Sequence, residues 1–424
     1  MREQFPGMVI GIADQKEKLV EDTNLVTHFG SDYLKHLSDY QIIIKSPGIS
    51  GIKREILEVQ KKGVEITSQT KIFFDVCRGV IIGVTGTKGK TTTCSLIYEM
   101  LKKANLAVDL VGNIGNPVLD SLVNDSKAKY YVFELSSHQL FDLEKSPHFA
   151  AVTNVAVDHL DWYGNFENYV DAKTHILKYQ TKEDVAVLNY DNLITREFDR
   201  FTKGKVFFTS KEIQSKGSYV ENGIMYLKDA NTVEKLGNVK ELKLIGKHNW
   251  DNVMLAAVIA KQAGLNNDTI WQAACGFKQL EHHLEFVKEV DGVAFYDDSF
   301  AVDQIATSAA INSFTQKLIL ILGGFDRGID YSQITSEIAK KENIKSIVVI
   351  GQIADKLTKT LKKAGYTGKI INLGKVSMEK IVKTAVKDAT SGDIVLLSPA
   401  AASFDMFKDY KDRGEQFKKA VNSL

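Results

Sequence analysis

Apolar positions along this chain follow two rhythms. Short runs rich in β-branched and aromatic residues recur at 79–84 (GVIIGV), 130–136 (YYVFELS), 150–156 (AAVTNVA) and 184–190 (DVAVLNY). The rhythm resumes at 293–298 (VAFYDD), 317–324 (KLILILGG), 346–351 (SIVVIG), 369–374 (KIINLG) and 393–399 (DIVLLSP). Each reads as a buried strand of about six residues. Between them lie stretches with apolar residues at helical spacing: CSLIYEMLKKA, ENYVDAKTHILKYQ and HNWDNVMLAAVIAKQAG. Strands alternating with helices predict α/β architecture with mainly parallel, doubly wound sheets. Breaks in the pattern divide the chain into 1–69, 70–279 and 280–424. The first part holds short strands (MVIGIA, YQIIIKS) and a helix, IKREILEVQKKG. The second carries a smaller β insertion, expected at KVFFTS, GIMYLKD and ELKLIG. The third restarts as a second open α/β sheet.

Composition narrows the classes. The chain has 424 residues, enough for two or three domains, with 44 % hydrophobic and 25 % charged residues. Its 54 basic and 53 acidic residues leave a net charge of +1, which gives no whole-protein field for nucleic acid or membrane. Cys77, Cys94 and Cys275 lack metal or disulfide spacing, which suits a reducing compartment. No apolar run reaches the ~18 residues of a membrane span. The patch MVIGIA is too short for a signal-peptide core. These readings predict a cytoplasmic protein.

The most informative segment is GVTGTKGKTTT, residues 83–93. A strand precedes it and a helix follows, so backbone N–H groups of a glycine turn point at one spot that suits phosphate oxygens. Gly86, Thr87, Lys88, Gly89, Lys90, Thr91 and Thr92 are the expected triphosphate-binding residues. Lys90 would reach the terminal phosphates and Thr91 would ligate Mg²⁺. Val84 stands where the strict pattern has its first glycine.

Other residues carry chemistry less specifically. Glu134 ends a strand and could hold Mg²⁺, or be a solvated strand-end acid. Ser136-Ser137-His138 hints at a nucleophile, but no G-x-S-x-G elbow surrounds it. Asp158-His159-Leu160-Asp161 offers metal ligands or a capped turn. Lys173, taken alone, is a helical lysine of the kind that usually faces solvent. Asn249 and Asn252 open a helix, as caps or as adenine and ribose contacts. His282 and His283 with Glu285 do not make a paired metal site, because adjacent strand residues point apart.

In order, Ser46-Pro47-Gly48, TGTKGKTTT, Gly112-Asn113-Ile114-Gly115, ELSSHQL, NVAVDHLDWYG, YVDAKTHIL and GKHNWDN, with YDDSFA, LGGFDRG and LLSPAAASFDMFKDYKDRGEQF, resemble the Mur ligase family over essentially the whole chain. These are ATP-dependent amide-forming enzymes of peptidoglycan precursor synthesis. The likeness is nearest to members that add D-glutamate to UDP-N-acetylmuramoyl-L-alanine through an acyl phosphate. It implies a UDP-substrate domain at 1–69, a central P-loop ATP domain at 70–279 and a Rossmann-like amino-acid domain at 280–424. It implies catalytic roles for Lys90, His159 and Lys173, and metal contacts from Thr91, Glu134, His159 and a carbamylated Lys173. Asn249, Asn252 and Asp298 would contact ATP. Ser46, Pro47, Gly48, Asn113, Ser136, His283, Arg327, Ser403 and Tyr410 would contact the substrates. ATP and Mg²⁺ are the implied cofactors, and a monomer the implied state.

The chain departs from that pattern in three places. The first domain is expected to be truncated, with Met1 just before its second strand. Then either residues 14–16 and 46–48 hold UDP or the native start lies upstream. The family's Asp-Ser-Lys-Ala-Thr reads Asp298-Ser299-Phe300-Ala301-Val302, and His283 stands where an arginine is usual. Arg327 is the expected compensating cation. Phe300 and Val302 leave open a Mur-type ligase for a different amino acid or acceptor, and the short first domain a non-catalytic nucleotide-binding homologue.

Overall fold

The computed structural model describes residues 7–17, 20, 22, 24–124 and 130–424; Met1 lies outside them. The described chain divides into two compact units, 1–94 with 104–208, and 95–103 with 209–424.

In the first unit, strands Val108–Gly112, Tyr130–Glu134, Val80–Thr85, Phe149–Val152 and Val185–Asn189 pair in that order, all parallel. The four strands from Tyr130–Glu134 to Val185–Asn189 are mostly buried, as expected for a parallel sheet covered on both faces, and the edge strand Val108–Gly112 is partly so. Helix Gln69–Val76 starts at Ser68, whose Oγ accepts from the Lys71 N–H at 3.1 Å. It lays Phe73 edge-on against Tyr131 and Phe133, with ring centroids 5.2 and 5.3 Å apart. Helix Phe166–Lys178 is capped by Asn165 and buries Tyr169, Ala172, Lys173 and Ile176, one face at helical spacing. Residues before Gln69 form two small parallel pairs, Gly11–Asp14 with Val26–Phe29 and Ile42–Ile44 with Glu65–Thr67. The MVIGIA run enters a strand only from Gly11, and its Met8 and Val9 are exposed.

The second unit contains the β insertion and the second sheet. The insertion is an antiparallel meander of Gly217–Glu221, Ile224–Lys228 and Val233–Asn238. ELKLIG is not a strand. The Asn238 side chain accepts from the Lys240 N–H and starts a 3₁₀ turn, Val239–Glu241, which takes the chain out of the meander before Leu242. The sheet runs Glu285–Val290, Val293–Asp297, Ile394–Leu397, Leu318–Gly323, Ile344–Ile350, Lys369–Gly374. Only the first pairing is antiparallel. Strand order reverses between Leu318–Gly323 and Ile394–Leu397. The loops after those two strands mark the position at which an open α/β sheet has its ligand crevice.

No described helix is long and apolar enough to cross a membrane.

Candidate active site

The glycine turn grows from Val80–Thr85 and ends at helix Lys90–Lys103. Val84 pairs with Glu134 inside the sheet and is fully buried, so no turn falls there and no glycine is needed. The conformational demand falls on Gly86 instead. Its φ is +147°, and a Cβ would sit 1.9 Å from Thr153 Oγ1. The turn is stapled to the neighbouring strand end: Thr87 N–H donates to Asn154 O at 2.7 Å and Lys88 N–H to Asn154 Oδ1 at 3.0 Å. Lys90 Nζ curls back to the carbonyls of Gly86 and Thr87, both at 3.0 Å. Burial pushes this amine below the usual lysine range, against the pull of Glu134.

Glu134 is buried at the end of Tyr130–Glu134. Burial raises its carboxyl, opposed by Lys90 and by hydrogen bonds from Thr91 and Asn113. Its Oε2 is buried without any partner. An orphaned carboxylate oxygen beside a threonine hydroxyl is the donor set that a hard divalent cation takes. The residues present therefore fit Mg²⁺.

Lys173 is only 1 % exposed, which overturns the solvent-facing expectation for a helical lysine. Its Nζ donates to Gly86 O at 2.9 Å and lies 4.7 Å from the Tyr169 ring centre. Burial, and then the Lys90 charge, push its amine well below the ordinary lysine range. His159 has left-handed backbone (φ +52°) at the start of Leu160–Tyr163, and its ring lies 6.2 Å from Tyr169. His138 packs edge-on to His159 at 4.8 Å. Burial and the neighbouring His159 lower the His138 pKa to about 4.

Ser136 forms a full capping box with Gln139 at the start of Ser137–Leu140, so its hydroxyl is not a poised nucleophile. Asn113 sits in the loop after Val108–Gly112. Ser46, Pro47 and Gly48 form an exposed turn. The residue before them, Lys45, is buried and donates to Ile49 O at 3.1 Å.

In the second unit, Asn249 and Asn252 are buried in helix His248–Gln262 rather than capping it. Asn249 Nδ2 donates to Ile245 O at 2.7 Å, and Asn252 Nδ2 to Asn249 Oδ1 at 2.9 Å. Asp298 is buried with both oxygens engaged, accepting from Leu284 N–H at 3.0 Å and Ser398 Oγ at 2.7 Å. Burial raises its carboxyl well above the usual range.

Three of the residues expected around the incoming amino acid follow the two strands at the order reversal of the second sheet. Arg327 is exposed on the loop after Leu318–Gly323. Ser403 and Tyr410 lie on the segment after Ile394–Leu397, and Tyr410 begins helix Tyr410–Asn422. Phe325 N–H donates to Ala402 O at 2.8 Å and ties the two loops together. Phe300 stacks on His283 with centroids 4.1 Å apart and meets Tyr410 edge-on at 5.0 Å. The two departures from the family pattern at 283 and 300 thus pack on each other.

Sequence reasoning missed Arg413, which is fully buried and donates to Ser299 Oγ, Ser299 O and Ala401 O. Nothing in a charged residue on an amphipathic helix distinguishes it from a surface arginine. Among the described residues, His282, Glu285 and Asp297 form the group whose spacing could hold a metal. His282 Nδ1 and Asp297 Oδ2 are already paired at 2.7 Å, and Lys418 Nζ lies 3.5 Å from Glu285 Oε2. A Cβ on Gly414 would sit 2.2 Å from His282 Nδ1, so backbone fills the space an ion would need. The group reads as an ion-pair network.

Comparison with known proteins gives the family. Residues 84–260 match the Mur ligase middle domain, and residues 282–401 the Mur ligase, glutamate ligase domain. A UDP-N-acetylmuramoylalanine--D-glutamate ligase of Acetivibrio thermocellus is 42 % identical over 400 residues, covering 93 % of this chain and 85 % of that protein. One from Caldanaerobacter subterraneus subsp. tengcongensis is 35 % identical over 398 residues, covering 93 % and 86 %. Among solved structures, UDP-N-acetylmuramate-alanine ligase MurC from Thermotoga maritima superposes with a TM-score of 0.63 at 17 % identity, covering 94 % of this chain and 89 % of that one. MurF ligase from Thermotoga maritima, in complex with ADP, gives 0.60 at 19 % identity, covering 96 % and 88 %. At such identities the structural likeness speaks to the fold, and the curated relatives carry the kinship. On the strength of those relatives, the chain belongs to the Mur ligase family.

Proposed function

We propose that this chain is an ATP-dependent ligase that joins D-glutamate to UDP-N-acetylmuramoyl-L-alanine in peptidoglycan precursor synthesis. The observation that carries the reading is the convergence of Lys90 and Lys173 on the Gly86 carbonyl, beside the unpartnered Glu134 Oε2. The names of the curated relatives support the choice of substrates. We assign the UDP-substrate, ATP and amino-acid roles to residues 1–69, 70–279 and 280–424, in a cytoplasmic monomer.

The alanyl carboxylate attacks the γ-phosphorus of ATP. A new O–P bond forms, the β–γ bridging bond breaks, and ADP leaves. The amine of D-glutamate then attacks the acyl carbon, and inorganic phosphate departs as the amide forms. Lys90 leaves its two backbone carbonyls to donate to the transferring phosphoryl oxygens. Thr91 and Glu134 would hold Mg²⁺, which supplies positive charge at those oxygens when bound. Lys173 is a buried amine with a depressed pKa, and its uncharged form is the one that can take up CO₂. As a carbamate it would become an anion and join His159 in holding a second Mg²⁺. Asn249 and Asn252 orient the nucleotide. Arg327 pairs with a carboxylate of the amino acid in the crevice that Ser403 and Tyr410 flank.

A second reading keeps the amide ligation and changes the amino acid. It is favoured by Phe300 and Val302, apolar where the family pattern has lysine and threonine. Phosphate release by the purified protein with MgATP, UDP-N-acetylmuramoyl-L-alanine and a panel of D- and L-amino acids decides between them. Release dependent on D-glutamate is expected. Preference for a neutral amino acid would replace the first reading with the second.

A further inference from the structure

We propose that Arg413 is a positioning residue of the amino-acid crevice, a buried group that ties two of its loops together and lies close to the third. The inference rests on the reading of Arg327, Ser403 and Tyr410 as amino-acid contacts. Arg413 has no exposed surface, so it cannot touch a substrate. Among the described residues its guanidinium has no ion-pair partner. Its bonds go to neutral acceptors: Nε to Ser299 Oγ at 2.9 Å, Nη2 to Ser299 O at 2.9 Å and Nη1 to Ala401 O at 3.0 Å.

Those acceptors lie on two of the crevice loops. Ser299 precedes Phe300, and Ala401 lies two residues before Ser403. The Ser299 hydroxyl passes the link on by donating to Tyr410 O at 2.8 Å. The third loop, which leads to Arg327, passes close to the same group, with room only for glycine. Gly324 has φ +154°, and a Cβ there would lie 2.3 Å from Ala402 O and 3.3 Å from Arg413 Nη1.

A purely packing role does not call for this residue. Burying a guanidinium without a direct ion pair is costly even with Asp297, Asp405 and Asp298 near enough to favour its charge, and apolar side chains usually serve a core at least as well. What only arginine offers is a rigid fork of donors that reaches several acceptors at fixed angles. Its place beneath the crevice points to geometric control of the loops.

The test uses the full-length protein and three variants, Arg413→Met, Arg413→Lys and Ser299→Ala. KM is measured separately for D-glutamate and for ATP, and backbone amide exchange is followed at 298–303 and 399–404. For Arg413→Met, KM for D-glutamate is expected to rise on the order of tenfold or more, because misplacement of contact groups is expensive. KM for ATP should stay within about twofold. Both loops should exchange faster while strand Ile344–Ile350 keeps its protection. Ser299→Ala should shift the same KM less, and Arg413→Lys should recover part of the loss. If Arg413→Met does not fold, those two milder variants decide. Equal changes in both KM values, or no change in either, would overturn the proposal. Should the wild-type protein show no D-glutamate-dependent turnover, the functional reading fails. Arg413 is then judged on exchange alone, and unaltered loop protection overturns it.

Discussion

Lys173 donates to the carbonyl of Gly86 at 2.9 Å, so a lysine from a helix 87 positions later in the chain closes the glycine turn from behind. Lys90 donates to the same oxygen from the front at 3.0 Å. Two ammonium groups sharing one neutral acceptor repel each other in a buried place, and the Lys90 charge adds to burial in lowering the tendency of Lys173 to stay charged. A phosphate that draws Lys90 forward, or a modification that turns Lys173 into an anion, relieves that repulsion. The resting arrangement is poised for both.

Lys173→Ala should therefore cost turnover on the order of a hundredfold or more, as loss of a fixed charge in such a site does. Acetate or formate added to the assay should restore part of it by occupying the space of the missing carbamate. Wild-type protein depleted of bicarbonate should slow and recover when CO₂ is returned. Full activity of the variant without added carboxylate would remove the carbamate from the mechanism.

Lys90→Ala separates chemistry from folding. Among the described residues the amine bonds only to the Gly86 and Thr87 carbonyls, and burial already disfavours its charge. Phosphate release should fall about a hundredfold to a thousandfold, and the melting temperature should hold or rise. A variant that loses activity only in proportion to lost folded protein would show that Lys90 is structural.

Arg327 is exposed, so Arg327→Ala should leave stability within about 0.5 kcal/mol. Steady-state kinetics should show KM for D-glutamate raised about tenfold and KM for ATP little moved. Equal shifts in both would exclude Arg327 from the amino-acid crevice.

The His282–Asp297 pair makes the second unit's stability depend on pH. The hydrogen bond to Asp297 raises the His282 pKa above its usual value, against the opposing effect of burial. Glu285 and Glu415 also favour the imidazolium, while Lys418 faces it as a cation. A raised histidine contributes stability fully below its unfolded pKa of about 6.5. That contribution is lost as pH climbs through the higher folded value. Urea denaturation should accordingly show His282→Gln costing about 1–3 kcal/mol at pH 6 and less at pH 8.5. A cost that is the same at both pH values would rule out the imidazolium.

Much of this architecture is legible in the chain because it is local. Strand, glycine turn and helix at 80–103 are set by neighbours in sequence, and so is the capping box at Ser136. The stretches misread are those that non-local partners decide. ELKLIG has a strand's alternation, yet a capped turn just upstream removes it from the sheet. Glu285–Val290 carries three charges in six residues and gave no strand signal, because only an edge strand tolerates them. Lys173 read as solvent-facing when weighed singly. Its spacing with Tyr169, Ala172 and Ile176 held the contrary message, since that whole face is buried. Arg413 left no such trace, because its acceptors, two backbone carbonyls and the Ser299 hydroxyl, lie 12 and 114 positions away in the chain.

The face-to-face contact of His283 with Phe300 has an evolutionary corollary. Arginine at 283 alone could lie flat on the same phenyl face, whereas lysine at 300 alone would strip the imidazole of its cover. The two positions are therefore coupled unequally, and the order in which they are exchanged decides whether this corner stays filled.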